Sequence, residues 1–460
     1  MNEKPQILAA HWSATSLVRV LGPMQEFIQQ SQSGGIVLLV ATVVALLIAN
    51  SPLSANYLAV LDLPIGITAG PLALEESLLH WVNDGLMAIF FFLVGLEIKR
   101  EVLVGELANL RAAMLPIVAA VGGVMLPAVI YFTLNAGGSG ARGWGVPMAT
   151  DIAFALGCLA LLGDRVPFGL KIFLTAIAIV DDLLAVLVIA LFYTGGLQLM
   201  MLGAGLAVLI ILALANRFGF RSPLIYASLG VLVWLAFLHS GVHATIAGVL
   251  VALTVPARSR IDMHTFLKRA RHTLQEFEQN QAAETQARIN EMQQSAIIEL
   301  EEDCEQAQAP LQKMEHRLHR WVGFVIMPVF ALANAGVVLS ASSVSRSSLP
   351  VLLGIVLGLT LGKPIGIMAA AWLAVRAGIA ELPQGVGWRH ILGAGVLAGM
   401  GFTMSLFIAS LAFSDPATLA TAKLAILLAS LLAGLAGLLL LRRVPNKGDV
   451  SWELGDGVGG

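Results

Sequence analysis

Twelve times along this chain the sequence stays apolar long enough to cross a bilayer. That recurrence limits the fold more than any single motif. A hydrocarbon core needs about 20 apolar residues per helix. The stretches run over about 34–50, 78–98, 112–134, 144–162, 170–193, 197–216, 222–239, 241–256, 321–340, 349–375, 389–412 and 418–441. The eighth is short, and the first borrows flanking residues. In lipid, a spanning segment must satisfy its own backbone, which leaves helices and closed barrels. Runs of this length predict helices. Of the 460 residues, 57% are hydrophobic and 12% charged, where a soluble domain carries about 25% charged. Mean hydropathy is +0.83. The reading is an all-α polytopic membrane protein with 12 transmembrane helices. A net charge of −2 gives no reason to expect a nucleic-acid partner.

Orientation follows from Lys and Arg in the short connections. With the N-terminus inside, fourteen fall on the inner side: Lys4, Arg19, Lys99, Arg100, Arg111, Arg165, Lys171, Arg217, Arg221, Arg376, Arg389, Arg442, Arg443 and Lys447. Three fall outside: Arg142, Arg346 and Lys423. The bias predicts cytoplasmic termini. The N-terminus lacks a compact apolar core followed by a small-residue cleavage site, so no cleaved signal peptide is expected. An interfacial helix is expected around 14–30. Cys158 lies in an apolar run and Cys304 in a polar one, so no disulfide is expected.

These boundaries give an N-terminal cytoplasmic or interfacial segment (1–33), spans 1–8 (34–256), a polar insertion (257–320), spans 9–12 (321–442) and a cytoplasmic tail (443–460). Within the first block, "LDLPIGITAGPLALEES" (61–77) alternates apolar residues around Pro and Gly breaks, and predicts a small external β-hairpin. The insertion holds nine basic residues and eleven of the 29 acids. Leu267, Leu274, Phe277, Ile289, Met292, Ala296, Leu300 and Cys304 recur in parts of it at helical steps, which predicts a long amphipathic helix or helical hairpin broken near Pro310. It reads either as a solvated spacer or as a regulatory or docking module.

The acids left inside spans are Asp84, Glu97, Asp151, Asp181 and Asp182, with one span lysine, Lys363. Insertion scales put an Asp or Lys at a helix centre at about 2.5–3.5 kcal/mol. Asp151, Asp181, Asp182 and Lys363 together then cost roughly 10 kcal/mol, comparable to a whole protein's net stability. One structural Asp–Lys bridge would account for two of the four and leave two carboxylates over. Buried carboxylate oxygens take a hard cation such as Na⁺ or a proton, and burial favours the neutral form of a carboxyl group. The two therefore compete. A site of this kind, opening to each side in turn, exchanges one for the other. If the cation displaces two protons, from two carboxylates or from one carboxylate and Lys363, the cycle moves net charge. Adjacent helical residues are about 100° apart, so Asp181 and Asp182 point different ways.

"GWGVPMATDIAFALG" puts Pro147 four residues before Asp151, with Thr150 beside it. "GAGVLAGMGFTMS" holds Gly393, Gly395, Gly399 and Gly401 inside a span, followed by Thr403. Both read as helix breaks, tolerated in a membrane only where they line a cavity or lie within protein. Ordinary glycine packing is the other reading of the second. Gly354, Gly358, Gly362 and Gly366 step by four around Lys363, a packing face. His239 and His243 are spaced i, i+4 at an outer turn, without an accompanying metal motif. His316 and His319 sit at the cytoplasmic edge of the ninth span.

"NDGLMAIFFFLVGLEIKRE", "ATDIAFALG", "IVDDL", "SGVHATIAGV", "FALANAGV", "GKPIGI" and "GMGFTMSLFIASLAF" resemble, in order from about 34 to 442, the signature blocks of NhaA-type bacterial Na⁺/H⁺ antiporters. The resemblance implies two inverted three-helix repeats, discontinuous helices 4 and 11 crossing near mid-membrane, and a cell inner membrane location. It implies that Asp182 is the principal Na⁺ ligand and proton carrier, with Asp181 alternating between the cation and Lys363. Thr150 and Asp151 match residues at the helix crossing, where Asp151 offsets half-helix N-termini. Glu97, Lys99, Arg100 and Glu101 match the cytoplasmic funnel, and His243, Glu315, His316 and His319 match positions tied to pH response. It further implies Na⁺, Li⁺ and H⁺ as cargo, no cofactor, lipid surroundings and a homodimer through the external hairpin. The insertion is longer than the loop expected there and abuts Glu315.

Three other classes compete. An intramembrane aspartyl protease also needs two membrane aspartates, but its Gly-x-Gly-Asp motif is missing and "LLGD" (161–164) sits at a helix end. A cation channel gains flux from an open path, which buried titratable pairs do not favour. A sensor would signal through the insertion.

Overall fold

The computed structural model describes residues 33–69, 72–138, 140–280, 286–338 and 348–444. The expected interfacial helix at 14–30, the tail beyond its first two residues, and Arg346 lie outside these.

Helix α1 (Ser33–Ala49) turns sharply into α2 (Ser54–Leu61), the two bent by 116°. Strands β1 (Pro64–Ala69) and β2 (Leu72–Ser77) then pair antiparallel, Pro64 opposite Ser77 and Ala69 opposite Leu72. The expected hairpin is present. Trp81 Nε1 donates to the Ile65 carbonyl at 2.8 Å and ties it to the next helix. A wide π-type turn, Trp81–Leu86, opens α3 (Met87–Leu103). After α4 (Leu110–Asn135) comes a tight 3₁₀ run, Ala141–Met148, an extended step, and α5 (Ile152–Leu161). Then follow α6 (Phe168–Phe192), α7 (Leu199–Arg217), α8 (Pro223–Leu238) and α9 (Ala244–Thr254).

The insertion is helical. Helix α10 (Met263–Asn280) packs on α11 (Gln286–Ala307), which is the hairpin alternative of the two expected forms. Pro310 opens a third helix, α12 (Pro310–Trp321), at a position where its missing N–H has no partner to lose. A second wide turn, Val322–Ile326, leads into α13 (Met327–Asn334). A third, Gly358–Gly362, joins α14 (Leu349–Leu357) to α15 (Lys363–Arg376). The chain closes with α16 (Trp388–Ala398), α17 (Phe402–Ala412) and α18 (Pro416–Arg442).

Among the described residues, six helices are long and apolar enough to cross a membrane, and up to eight if each of two bent pairs is one span. The bent pairs are α1 with α2, and α16 with α17, the latter bent by 45°. Helices α8 and α9 are apolar but shorter. The chain is a multi-pass membrane protein by this measure. Its apolar exterior agrees, with residues such as Met200, 81% exposed, turned outward.

The four-step glycine stripe faces α4. A Cβ on Gly354 would lie 2.7 Å from Tyr131, one on Gly362 3.1 Å from the Pro127 backbone, and one on Gly366 2.2 Å from the Gly122 carbonyl. No larger residue fits at Gly366 without separating α4 from α15. Helices α3 and α9 touch as closely, since a Cβ on Gly248 would meet the Ala88 carbonyl at 2.3 Å.

Candidate ion-exchange site

Asp181 and Asp182 sit near the middle of α6, 1% and 2% exposed. Neighbours on a helix face different surroundings, and here the surroundings differ in kind. Asp181 Oδ2 lies 2.7 Å from Lys363 Nζ, with both side chains fully buried. It also accepts from Thr150 Oγ1 at 2.6 Å. Asp181 Oδ1 is buried with no hydrogen-bond partner. Asp182 makes no side-chain hydrogen bond or ion pair among the described residues. The π-type turn before α15 delivers Lys363 to this point, where Nζ also donates to the Met148 carbonyl.

Met148 ends the 3₁₀ run, so Lys363 sits against a half-helix C-terminus, where positive charge is favoured. The same run is fastened at its other end by Tyr131, whose hydroxyl donates to the Gly140 carbonyl at 2.8 Å, and by Tyr193, donating to Arg142 at 2.7 Å.

Asp151 is 1% exposed and stands between two helix beginnings. Its Oδ1 accepts from Phe154 N at 3.1 Å and caps α5. Its Oδ2 accepts from Thr403 N at 3.2 Å and from the Thr403 hydroxyl, in the first turn of α17. First-turn N–H groups have no intrahelical acceptor, and a carboxylate there is favoured by the helix dipole. The two breaks abut one another. Asp151 N donates to Met400 O at 2.7 Å, Thr150 Oγ1 reaches Ala398 O at 3.0 Å, and Ser405 Oγ donates to Val146 O at 2.8 Å. The sequence flagged Thr403 only as the residue after a glycine cluster; its pairing with Asp151 spans 252 positions and has no local signal.

The remaining predicted site residues divide into two groups. At the C-terminal end of α3, Arg100 Nε lies 3.0 Å from Glu315 Oε1 and Arg100 Nη2 3.1 Å from Glu101 Oε1. Glu101 Oε2 accepts from Glu106 N at 3.0 Å. His319 Nδ1 lies 3.7 Å from Glu97 Oε1. This cluster joins α3 to α12, the last helix of the insertion. Glu97 beside it holds the His319 proton above the usual imidazole range. Burial pushes the Glu315 carboxyl up, against the pull of Arg100. His316 is exposed on α12 and has no side-chain partner among the described residues.

His243 does not join that cluster. It opens α9 at the other end of α3, with Nδ1 3.8 Å from Asp84 Oδ1, and its ring packs against Phe407. His80 Nε2 lies 3.0 Å from the other Asp84 oxygen. The 13 positions from Asp84, in the wide turn, to Glu97, in α3, span about 20 Å at about 1.5 Å per residue. The resemblance links His243 with Glu315, His316 and His319 only as positions tied to pH response, and its neighbour Asp84 has no signal in the sequence. Lys99 also departs from the acidic funnel group. Its Nζ donates to the Leu253 carbonyl at 2.7 Å and to Val255, at the end of α9.

The model of the Na⁺/H⁺ antiporter 1 family matches residues 25–441. The chain is 53% identical over 434 residues to the Na⁺/H⁺ antiporter NhaA of Oleidesulfovibrio alaskensis, covering 93% of this chain and 96% of that one. It is 48% identical over 431 residues to Na⁺/H⁺ antiporter NhaA 1 of Saccharophagus degradans, covering 93% of each. It is 49% identical over 424 residues to NhaA of Koribacter versatilis, covering 92% of each. The match spans both helix breaks, the paired aspartates and Lys363, and the chain belongs to the Na⁺/H⁺ antiporter 1 family.

Proposed function

We propose that the chain exchanges Na⁺, or Li⁺, for H⁺ across a bacterial inner membrane, by competition of cation and protons for Asp181 and Asp182. The observation that carries this reading is the inequality of the pair. Asp181 has Lys363 and Thr150, while Asp182 is just as buried and has no partner among the described residues. An ionised carboxylate left unpaired in a protein interior costs several kcal/mol. A proton relieves it, and so does an alkali cation taking carboxylate oxygens. Each excludes the other. The unpaired Asp181 Oδ1 offers a second oxygen for the cation. When the cation draws on Asp181, Lys363 loses its counterion and releases a proton, while Asp182 releases another. Two protons against one Na⁺ make the cycle electrogenic.

The two breaks support alternating access. They are held by side-chain and backbone bonds across the crossing rather than by a continuous helical ladder. In this reading the chain has twelve spans in two inverted repeats, helices 4 and 11 cross at Asp151, both termini are cytoplasmic, and β1–β2 forms a homodimer contact. Glu97, Glu101, Glu315, His316 and His319 on the inner side, and His243 on the outer, shape the pH response. Family members are transporters and not enzymes, which leaves the protease reading without support.

The test is ΔpH dissipation in everted vesicles on addition of Na⁺, Li⁺ or K⁺ across a pH series. Wild type responds to Na⁺ or Li⁺, and Asp182→Asn does not. Wild-type exchange in Asp182→Asn defeats the site assignment.

A further inference from the structure

Asp84 stands in the wide turn Trp81–Leu86 between two imidazoles. Its Oδ2 lies 3.0 Å from His80 Nε2, one helical turn earlier. Its Oδ1 lies 3.8 Å from His243 Nδ1, beyond hydrogen-bond reach. His243 Nδ1 is buried and has no hydrogen-bond partner among the described residues. A buried polar atom left unsatisfied in a native fold calls for a reason. Exposure falls along the row, from 42% at the His80 side chain to 13% at Asp84 and 17% at His243. Water reaches the first imidazole and hardly the second.

The backbone around Asp84 is held on three sides. Trp81 Nε1 donates to the Ile65 carbonyl of the hairpin, Trp234 Nε1 of α8 to the Asp84 carbonyl at 3.3 Å, and Asn334 Nδ2 of α13 to Asn83 Oδ1 at 2.7 Å. What can answer a change at His80 is therefore the Asp84 side chain. Beyond it, His243 rests edge-on against Phe407, with ring centres 6.0 Å apart. Phe407 also touches Phe91 of α3 at 5.5 Å and Phe330 of α13 at 6.4 Å, and all three rings are buried. It lies one turn along α17 from Thr403, through which Asp151 holds that stub. Besides Asp84, the charged group acting on His80 is Glu76 of β2, and the one acting on His243 is His80. His239, at the end of α8, turns back to the Leu235 carbonyl. Asn334, Trp234 and Phe407, which meet the row from the other elements, carry no charge.

We propose that Asp84 is a positioning residue that changes partner with the acidity on its own side of the membrane, held by His80 when that imidazole carries a proton and by His243 when it does not. A proton on His80 makes a charge-assisted pair with Oδ2. Alkaline water removes it, and a nearly buried carboxylate then loses its counterion. The nearest free donor is His243 in its Nδ1–H tautomer, short of a bond by about 1 Å. Closing that gap draws the ring off Phe407 and loosens the aromatic packing that seats α17. Acid at this face seats the stub, and alkali releases it. The two pairings form a two-state element biased by one proton. The outer placement of the row rests on the exchange reading above, in which His80 has no part.

The test uses the full-length chain in right-side-out and in everted vesicles, which present opposite faces to the medium. Initial tracer Na⁺ flux is read against medium pH, with the lumen buffered. When the medium bathes the face that carries His80, wild type shows a step of about two- to fivefold, the size set by a partly exposed pair, within about pH 5–8. His80→Gln removes that step and keeps the maximal flux, and Asp84→Asn removes the same step. When the medium bathes the other face, His80→Gln and wild type give the same profile. A second readout needs no transport: an NMR titration of ring-labelled histidine in the purified chain. Protonation of His80, assigned with His80→Gln, shifts the His243 resonance in wild type and not in Asp84→Asn. A flux profile unchanged by His80→Gln overturns the proposal, and so does a His243 resonance that ignores His80 in wild type. Wild type without any Na⁺ flux defeats the exchange reading instead, and the NMR titration then decides the partner change by itself.

Discussion

The molecule contains two mixed clusters of acids and bases that look alike in sequence and differ in kind. One is Asp151, Asp181, Asp182 and Lys363. The other is Glu97, Arg100, Glu101, Glu315 and His319. The first lies in the interior, with Lys363 fully buried and Asp182 2% exposed. In the second, Arg100 and His319 remain 38% and 66% exposed. Water lets the second cluster tolerate surplus charge and rearrange at little expense. Without water, the first must match each charge to a partner, and Asp182, without one among the described residues, is where the proposed cycle takes up an ion or proton. Burial, rather than the number of charged groups, separates the proposed uptake site from a wet ion-pair network.

The strongest way to break this contrast is to remove one partner from the dry cluster. Lys363→Ala leaves Asp181 buried beside Asp182 with Thr150 alone. Breaking a buried pair in this way costs about 3–5 kcal/mol. The expected outcome is a lower melting temperature in detergent and loss of Na⁺-dependent ΔpH dissipation. Stability and exchange at wild-type level would place Lys363 outside the charge balance.

A smaller effect is expected at Thr403. Thr403→Val removes a hydroxyl donor from Asp151 while keeping the shape, and a lost bond to a buried charged group costs about 1–3 kcal/mol. Thermal unfolding of the purified variant checks it. Thr403→Ser should restore most of the loss.

In the wet cluster the effect is smaller again and depends on pH. The His319 proton is held above its ordinary range by Glu97, so its pairing is fully present below the ordinary value near 6.5 and is lost as pH rises through the raised one. Glu315 is also raised, by burial, so its ionisation as pH rises likewise disfavours the packed state. Both changes loosen the α3–α12 seam toward alkaline pH. With His319 two-thirds exposed, the pair is worth about 0.2–1 kcal/mol. His319→Gln should remove the His319-dependent step from the pH profile of Na⁺-dependent ΔpH dissipation. An unaltered profile separates this seam from the pH response.

The least effect on exchange is expected from deleting about 265–308. Transport should remain largely intact, with at most a shift in its pH profile. Loss of transport in a protein still folded in the membrane would make the insertion part of the transport machinery.

Much of the dry cluster was legible in the sequence because its signals are local. Charges stand out inside apolar runs, and Pro147 and the glycines at 393–401 mark the breaks within a few residues of Asp151 and Thr403. The hairpin, the glycine face around Lys363 and the break at Pro310 carried local signals of the same kind. Which carboxylate lacks a partner was not legible from the residues, because Lys363 reaches Asp181 across 182 positions. The resemblance alone favoured Asp182. Long-range pairing also hides the neighbour of His243. Nothing near "SGVHATIAG" indicates that its neighbour is Asp84. Lys99 carries no sign that it turns to the end of α9. The wide turns at Trp81–Leu86, Val322–Ile326 and Gly358–Gly362 also went unseen, since an extra residue in a helical turn leaves no periodicity to read.

Asp151 gives the moving parts a mechanical constraint. One carboxylate serves as hub for two stubs of helix, α5 and α17, and its two oxygens are divided between them. Pulling the stubs apart would strand a negative charge at one and bare amides at the other, so they must swing together about a common pivot. In the proposed alternating-access cycle, a movement that exposes the site to one side of the bilayer has to carry both stubs, and its sliding surface lies around this unit rather than through it.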